Sequence, residues 1–194
     1  PKGIKDGIVN SIDVSSHNPA TAYIVMMRYK SMDLSSYIFM TNDYGQSWTK
    51  IVNGLEDPNG FARVVRSDKK RKGLLYAGTE TGLYVSNDNG AHWQRLKLNL
   101  PIVPINDLII QDNDLVAATS GRGFWILDDL GLLQTMTANQ SSIKLFKPKD
   151  TYRIFGGISK AARQGKNPKS GVTFDYYLDR AADSLELKLE VLQN

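Results

Sequence analysis

The first 134 positions alternate between short apolar, β-branched or aromatic runs and short polar runs rich in Gly, Asn, Asp and Ser. Such apolar runs are typical of strands, and the polar residues between them are typical of turns. The pattern predicts three successive units of four strands each. The predicted strands are residues 9–15, 21–29, 36–41 and 47–52, then 61–67, 74–78, 82–86 and 92–98, then 105–111, 114–119, 124–127 and a weak last strand near Leu133.

Four short antiparallel strands per unit is the pattern of a β-propeller blade. The second strand of each unit carries small or β-branched residues, as in Ala77-Gly78-Thr79, which suit a crowded position near an axis. Residues 30–35 and 68–72 are predicted to be surface loops between strands. We therefore predict an all-β fold with a partial β-propeller of about three four-stranded antiparallel blades at residues 1–140.

An eight-residue pattern occurs twice, 45 positions apart, between the third and fourth predicted strands of the first two units. We call these segments motif 1 (residues 41–48) and motif 2 (residues 86–93). In each, an Asp can accept hydrogen bonds from the backbone of the turn, a Gly can supply a positive φ, and a Trp can anchor the corner. The residues predicted to build the two corners are Asp43, Gly45, Trp48, Asp88, Gly90 and Trp93.

A weaker third copy, motif 3 (residues 127–134), follows at an offset of 41. Asp129-Leu130-Gly131 repeats the Asp-x-Gly turn, but the Trp position is Gln134. The apolar anchor is therefore missing or has moved to Leu132 or Leu133. Repeats at the end of an array are often atypical in this way.

Motifs 1 and 2 resemble the Asp-box, or bacterial neuraminidase repeat, Ser/Thr-x-Asp-x-Gly-x-x-Trp. Residues 14–24 and 75–79 resemble strands that precede an Asp-box in sialidase-like and sortilin-like β-propellers. Residues 118–130 resemble the final blade of large secreted bacterial glycosyl-hydrolase-like proteins, and the resemblance covers most of residues 5–136. It implies a secreted, periplasmic or cell-surface bacterial protein. It also implies that the Asp-boxes lie at the blade periphery, away from any catalytic face.

The pattern changes after Gln134. Residues 141–171 are predicted to be an exit strand followed by a basic linker. Residues 172–178 and 185–191 alternate with period two, and they resemble the first hairpin of an immunoglobulin-like sandwich. We assign residues 172–194 to the start of such a sandwich, which this length of chain cannot complete.

Composition excludes several classes of function. The chain has no Cys, so it forms no disulfides and has no thiolate chemistry, which argues against the vertebrate sortilin type. No apolar run approaches the roughly 20 residues of a membrane helix. Much of the net charge of +4 comes from lysines and arginines at residues 144–169. The aromatic residues of this basic segment, Phe146, Tyr152 and Phe155, all lie in its first half and do not alternate with the basic residues along its length, so a solvated linker is favoured over a nucleic-acid interface.

No cofactor or metal site is predicted. Asp43, Asp88 and Asp129 are the acids that suggest a glycosidase pair, but turn capping explains each of them, and equivalent positions on different blades lie far apart. His17 and His92 are the only histidines and have no metal-binding spacing. The catalytic residues are therefore unknown.

Arg122 is the charged residue most suggestive of binding. It lies between two glycines in Gly121-Arg122-Gly123, which would let a ligand approach the backbone, and its guanidinium suits a carboxylate on a sugar or peptide. Trp125 nearby could stack on a ligand, although a packing role competes with that interpretation. Arg63 and Arg66 do not match the sequence contexts of the sialidase arginine triad.

Two functions remain open. In the first, the chain is a non-catalytic propeller segment of a secreted sortilin-like or glycosyl-hydrolase-like protein, and it binds glycan or peptide on its loop face. In the second, it is the C-terminal part of a glycoside hydrolase, of sialidase or xyloglucanase type, whose catalytic acids lie in blades outside this chain. Three blades cannot close a propeller, so we expect further upstream blades in the parent protein. In the isolated chain, the sheet edges are expected to pair with another copy, to curl together, or to be covered by the C-terminal segment.

Overall fold

A computed structural model describes residues 1, 4, 6–55, 57, 60–136, 143–151, 171–179, 186, 188–190 and 192. The chain divides into two compact units, Pro1–Ala138 (unit 1) and Asn139–Asn194 (unit 2). Within the described part of the chain, no helix combines the length and the apolar character needed to span a membrane.

Unit 1 consists of three antiparallel sheets, each formed by strands that pair with their chain neighbours. Sheet A contains β1 (Ile8–Val14), β2 (Ala22–Arg28), β3 (Asp33–Thr41) and β4 (Thr49–Lys50). Sheet B contains β5 (Ala62–Ser67), β6 (Leu75–Thr79), β7 (Leu83–Ser86) and β8 (Gln94–Arg95). Sheet C contains β9 (Ile105–Gln111), β10 (Asp114–Thr119) and β11 (Phe124–Leu127). The predicted all-β partial β-propeller is confirmed.

The segment near Leu133 is a helix rather than the predicted fourth strand of the third unit. Gly131–Thr135 form the short helix α1, in which the Gln134 backbone N–H donates to the Leu130 carbonyl at 2.9 Å. Leu130 is fully buried, and Leu133 packs against the core between sheets B and C. A helical turn can bring both leucines to that core in a repeat that lacks the Trp anchor.

The fourth strands of sheets A and B are shorter than predicted, at two residues each. After β4 the chain turns toward sheet B, and the Asn53 carbonyl accepts a hydrogen bond from the Trp93 backbone N–H at 2.8 Å. Pairing with β3 continues only through Ile51, whose N–H donates to the Ile38 carbonyl at 2.9 Å, and the contact with the next sheet follows two residues later.

The predicted loop at residues 30–35 is also shorter in the structure. A 3₁₀ turn covers Tyr29–Ser31, and β3 already begins at Asp33. Asp33 accepts hydrogen bonds from Arg28 at 2.7 Å and from the Tyr37 hydroxyl at 2.8 Å. These bonds hold the start of β3 against the end of β2.

The first strands β1, β5 and β9 contact one another in sequence, so they, rather than the second strands, are the inner strands. Each carries a β-bulge, and the bulged residues Asn10, Arg63 and Asn106 occupy equivalent positions. Asn10 Nδ2 donates to the Arg63 carbonyl at 2.7 Å, and Arg63 Nη1 donates to Asn106 Oδ1 at 2.9 Å. Because a bulge turns a side chain away from its own ladder, these residues can link inner strands that belong to different sheets.

Two hydrophobic clusters lie between the sheets, and a third, formed by Ile24, Met26 and Phe39, lies on the side of sheet A that is turned away from sheet B. We call the side of a sheet that is turned toward the preceding sheet its leading face, and the opposite side its trailing face. The trailing face of sheet A packs on the leading face of sheet B through Tyr23, Val25 and Ile38 with Val65, Ala77, Tyr84 and Trp93. The trailing face of sheet B packs on the leading face of sheet C through Val64, Tyr76, Leu83 and Val85 with Leu108, Leu115, Ala117 and Trp125.

In unit 2, β12 (Ile143–Leu145) pairs antiparallel with β13 (Tyr176–Leu178). A strand is therefore present in each of the two segments where one was predicted, and they pair with each other. The predicted basic linker lies almost entirely outside the described residues. So do positions 185, 187 and 191 of the predicted second hairpin strand, and the sandwich assignment stays a prediction.

Candidate functional site

Motif 1 is a turn closed by its own polar side chains. The Thr41 hydroxyl donates to Asp43 Oδ1 at 2.7 Å and accepts from the Gly45 backbone N–H at 2.9 Å. Asp43 then accepts from the Ser47 backbone N–H at 2.9 Å and from its hydroxyl at 2.5 Å. Tyr44 and Gly45 have φ of 58° and 86°, the left-handed region that favours glycine at the second position.

Motif 2 repeats these contacts at the same spacing. The Ser86 hydroxyl accepts from the Gly90 N–H at 2.9 Å and donates to Asp88 Oδ1 at 2.8 Å. Asp88 accepts from the His92 N–H at 2.9 Å, and its second oxygen contacts His92 Nδ1 at 2.7 Å. Asn89 and Gly90 have φ of 61° and 87°. The sequence repeat is therefore a repeat of hydrogen-bond geometry.

The two Trp side chains have different environments. Trp93 is buried, and its Nε1 donates to the Ile51 carbonyl of the chain leaving sheet A, at 2.9 Å. Trp48 is half-buried, and its Nε1 donates to Gly45 of its own motif at 3.1 Å. Trp93 thus joins two sheets, whereas Trp48 lies on the leading face of sheet A, which has no preceding sheet among the described residues.

The pKa values of the motif carboxylates Asp43 and Asp88 do not suit a general acid. Hydrogen bonds from the side chain and backbone of Ser47, then from Thr41, lower the pKa of Asp43 to about 2. Burial alone would raise the pKa of Asp88, but hydrogen bonds from His92 and Ser86 outweigh it, and the pKa is lowered. A general acid at neutral pH needs a raised pKa. Both carboxylates are ionised hydrogen-bond acceptors inside their own turns.

The stability of the Asp43→Asn variant is expected to fall less than that of wild type as the pH is lowered below about 4. Because the folded-state pKa of Asp43 lies below its ordinary value of 3.8, its stabilisation is present above about pH 4 and is lost as the pH falls through about 2. The measurement is the urea midpoint between pH 2 and pH 5 for wild type and variant. Asp128→Asn, at an exposed position within motif 3, is the control. Parallel pH profiles for wild type and Asp43→Asn would contradict this assignment.

Motif 3 keeps the turn but connects it differently. Asp129 has a φ of 65°, and its Oδ1 accepts from the Gly131 N–H at 2.9 Å and from Asn113 Nδ2 at 2.7 Å. Gln134, at the Trp position, donates from Nε2 to Asp68 Oδ2 at 3.0 Å. Asp129 thus caps a turn between sheet C and α1. Each of the three motif carboxylates accepts hydrogen bonds within the corner of its own sheet.

No metal centre is formed by the described residues: they contain no group of three or more His, Cys, Asp or Glu side chains that could hold an ion. His92 contacts Asp88 within motif 2. His17 Nε2 lies 2.9 Å from the Asp68 carbonyl, in the turn region between sheets A and B.

Arg122 and Trp125 lie together at the β10–β11 turn. Arg122 is exposed, and its carbonyl accepts a hydrogen bond from Trp125 Nε1 at 3.1 Å. The Trp125 ring is half-buried and packs against the core between sheets B and C. Gly121 and Gly123 have φ of 86° and 69°, with open space where a Cβ would project. An accessible guanidinium at this turn is consistent with the prediction, whereas the Trp125 ring packs inward.

Two polar residues with larger structural roles were not found from the sequence. Arg66 connects all three inner strands: it donates to Ser11 Oγ at 2.8 Å, to the Leu108 carbonyl at 2.8 Å and to Asp107 Oδ1 at 2.7 Å. Asp68, in the predicted surface loop, is fully buried. Burial, and then the charge of Asp68, raise the pKa of Tyr76, whose hydroxyl donates to that carboxylate at 3.3 Å. Neither residue has a local sequence signal, because their partners lie on other strands.

An open groove of about 850 Å³ lies between the outer parts of sheets A and B, and we call it the A/B groove. Motif 2 forms one wall. The apolar lining side chains are Met40, Ile51, Val52, Leu55 and Ala91, and the polar ones include Ser35, Ser36, Thr49, Lys50, Asn53 and Asp57.

The corresponding cleft between sheets B and C holds only about 50 Å³. It is lined by Leu96, Leu98 and Leu100, which stand 45 positions after Ile51, Asn53 and Leu55. The segment after sheet A thus has Asn53 where the segment after sheet B has Leu98, and the cleft lined by the polar residue is the open one.

No protein-family model matches the chain, and no curated protein does. Among solved structures, the GH74 enzyme of Niastella koreensis is 16% identical, with a TM-score of 0.50, over 74% of this chain and 24% of that one. YCF48 bound to D1 peptide is 23% identical, with a TM-score of 0.49, over 66% and 39%. The GH74 xyloglucanase of Xanthomonas campestris is 17% identical, with a TM-score of 0.46, over 59% and 20%.

The chain thus spans about two fifths or less of the length of these structures. At such identities a likeness concerns the fold alone. What the chain shares with the Niastella koreensis enzyme is the fold of a partial β-propeller.

Proposed function

We propose that this chain is a non-catalytic part of a β-propeller, in a secreted sortilin-like or glycosyl-hydrolase-like bacterial protein, and that it binds an extended peptide in the A/B groove. The observation that carries the proposal is the groove itself. Its volume of about 850 Å³ lies within the range of ligand sites, and it combines apolar side chains with a few polar ones.

A peptide fits the groove better than a glycan does. β4 is the outermost strand of sheet A, and Thr49 and Lys50 line the groove. An extended peptide can add to such an edge through backbone hydrogen bonds while its side chains enter apolar pockets. No aromatic residue is among the described residues that line the groove, so no ring is present there to stack on a sugar.

The acids of the groove support binding rather than hydrolysis. Asp57 Oδ2 accepts a hydrogen bond from the Thr81 hydroxyl at 2.7 Å, and Asp88 is held by motif 2 with a lowered pKa. A glycosidase needs a carboxylic acid with a raised pKa facing a second carboxylate. The alternative, the C-terminal part of a glycoside hydrolase, therefore requires acids other than these two.

The test is selection of a random heptapeptide phage library on the purified chain, with a glycan array run in parallel. Thr49→Trp is expected to fill the groove and to weaken binding of the selected peptides at least tenfold. Gln94→Trp is the matched control, because Gln94 occupies in β8 the place of Thr49 in β4, where the neighbouring cleft is closed. Arg122→Ala tests the alternative site at the β10–β11 turn in the same assay.

Equal affinity of wild type and Thr49→Trp would remove the groove from the proposal. Loss of binding in Arg122→Ala alone would move the site to the β10–β11 turn. Glycan binding without peptide enrichment would favour the carbohydrate class of ligand.

A further inference from the structure

We propose that a polar cavity between sheets A and B binds a small carboxylic acid that also carries hydroxyl groups. The cavity has a volume of about 250 Å³ and lies between the β1–β2 turn, the β5–β6 turn and motifs 1 and 2. We call it the polar cavity. One water takes about 30 Å³ of liquid volume, so the space suits a small metabolite rather than a single solvent molecule. The inference does not depend on the proposed peptide site in the A/B groove.

The β1–β2 turn and the β5–β6 turn are copies of one another. The Ser15 backbone N–H donates to the Thr21 carbonyl at 3.0 Å, and the Asp68 backbone N–H donates to the Leu74 carbonyl at 2.9 Å. The two turns have equal length between their strands, so each residue of the first turn has a counterpart in the second. The repeat therefore allows the polar cavity to be compared with the same place between sheets B and C.

Smaller side chains in the first turn open the polar cavity. Three of its lining residues have larger counterparts in sheet B: Ser15 corresponds to Asp68, Asn18 to Arg71 and Thr21 to Leu74. Leu74 is fully buried in the core between sheets B and C, and Arg71 donates to the Leu133 carbonyl at 2.6 Å. Side chains thus occupy, between sheets B and C, a space that stays open between sheets A and B.

The filled counterpart contains a carboxylate. Asp68 is fully buried, and its Oδ1 accepts from the backbone N–H groups of Lys70 and Arg71 at 2.8 and 2.7 Å. Its Oδ2 accepts from the Tyr76 hydroxyl at 3.3 Å and from Gln134 Nε2 at 3.0 Å. This place in the repeat therefore accommodates a carboxylate when hydroxyl, amide and backbone donors surround it.

The polar cavity lacks that carboxylate but keeps the tyrosine beside it. Tyr23 is the counterpart of Tyr76, because the two pair with equivalent residues of the third strands. Ser15 stands at the position of Asp68, and the Tyr23 hydroxyl donates instead to Asn89 Oδ1 at 2.6 Å. A ligand carboxylate can therefore take the place that Asp68 fills in the next pair of sheets.

The charge of the lining favours an anion. Residues 69–72 are four consecutive cations, and the first three are engaged: Lys69 and Lys70 donate to sheet C, and Arg71 donates to α1. Lys72 lines the polar cavity and, among the described residues, forms no hydrogen bond or ion pair. No carboxylate is among the described residues that line this cavity. The Lys72 ammonium is thus available to pair with a ligand carboxylate.

The charge of Asp13 also reaches the polar cavity, although Asp13 does not line it. Burial, and then this charge, raise the pKa of Tyr23 to about 12, so its hydroxyl stays neutral at physiological pH. Asp13 Oδ2 accepts from the Ser67 backbone N–H at 2.8 Å and from the Ser67 hydroxyl at 2.6 Å. These two donors partly compensate the charge of Asp13.

The rest of the lining suits hydroxyl groups. It includes three Asn, two Ser and one Thr side chain. The Ser15 hydroxyl accepts from the His17 N–H at 3.2 Å, and Asn18 Oδ1 accepts from the Ala20 N–H at 3.1 Å. The Ser15 O–H and Asn18 Nδ2 remain as donors without an acceptor among the described residues. A ligand can therefore form hydrogen bonds over most of its surface.

The test is isothermal titration calorimetry of the full chain with glucuronate and with malate, two acids that carry both carboxylate and hydroxyl groups. Glucose, which has hydroxyls but no charge, and acetate, which has a carboxylate but no hydroxyl, are the reference ligands. At least one of the two acids is expected to bind at least tenfold more tightly than either reference. If neither acid does so, the proposal is overturned.

Two variants locate the site. Lys72→Gln removes the ammonium and is expected to weaken binding of the preferred acid at least tenfold. Ser15→Asp places in the polar cavity the carboxylate that Asp68 supplies between sheets B and C, and it is expected to abolish measurable binding.

Lys70→Gln is the matched control, because it removes the same charge from the same turn, but from a side chain that bonds to Asn113 of sheet C at 2.9 Å. It is expected to bind the acid within twofold of wild type. Circular dichroism checks that each variant is folded. Unchanged affinity in Lys72→Gln, or an equal loss in Lys70→Gln, would show that the polar cavity is not the binding site.

Discussion

Replacing Trp93 with Ala is expected to lower the free energy of unfolding by about 3–5 kcal/mol, the range for removing a large buried aromatic side chain. Trp93 is 4% exposed in the core between sheets A and B. Its removal leaves a cavity between two sheets and also deprives the Ile51 carbonyl of its donor. The measurement is urea unfolding followed by circular dichroism.

Trp48→Ala is the internal control, because Trp48 occupies the same position of the same motif. It is half-buried, its hydrogen bond stays within motif 1, and its ring packs only on its own sheet, so its loss is expected to cost about 1–2 kcal/mol. Both variants are compared with wild type in the same assay. Equal destabilisation would show that the Trp stabilises its own turn rather than the contact between sheets.

Gly90→Ala is expected to destabilise more than the equivalent Gly45→Ala. The two glycines have almost the same φ, 87° and 86°, so each substitution has the same left-handed strain of about 1–2 kcal/mol. A Cβ on Gly90 would also lie 2.5 Å from Ile51 Cδ1 and 3.1 Å from Ile51 Cβ. On Gly45 the nearest atom would be Trp48 Cζ2 at 3.7 Å, an ordinary contact. The overpacking adds about 1–3 kcal/mol at Gly90.

The same unfolding assay measures this difference. A third variant, Gly90→Ala with Ile51→Val, removes the Cδ1 atom that the new Cβ would meet. Gly90→Ala is expected to lower the free energy of unfolding less when it is added to Ile51→Val than when it is added to wild type. Equal effects of Gly45→Ala and Gly90→Ala would mean that the glycine is required only for backbone conformation.

The turn chemistry of motifs 1 and 2 could be predicted from the sequence, because it is local. Thr41, Asp43 and Gly45 lie within five positions, and their hydrogen bonds follow from the residue types and the spacing. The existence of three successive sheets was predictable for a related reason. Alternation of side chains across a strand and the turn residues between strands are properties of short segments.

The errors occurred where a neighbouring sheet decides the outcome. The segment after β4 turns to the next sheet, where Asn53 pairs with Trp93, and α1 forms where Leu130 and Leu133 meet the core between sheets B and C. Strand propensity cannot show these contacts, because packing against another element overrides it. The A/B groove also required the structure, since its walls come from segments about 40 residues apart.

The sequence by itself determined the corners and the number of repeats, since these depend on residues within a few positions of one another. The tertiary structure decided which copy of the repeated Trp stabilises the contact between sheets. Trp93 is buried between sheets A and B, whereas Trp48 is only half-buried. The physical reason is that burial and inter-sheet hydrogen bonds belong to the environment of a residue. Identical motifs therefore differ in energy according to whether a neighbouring sheet covers them.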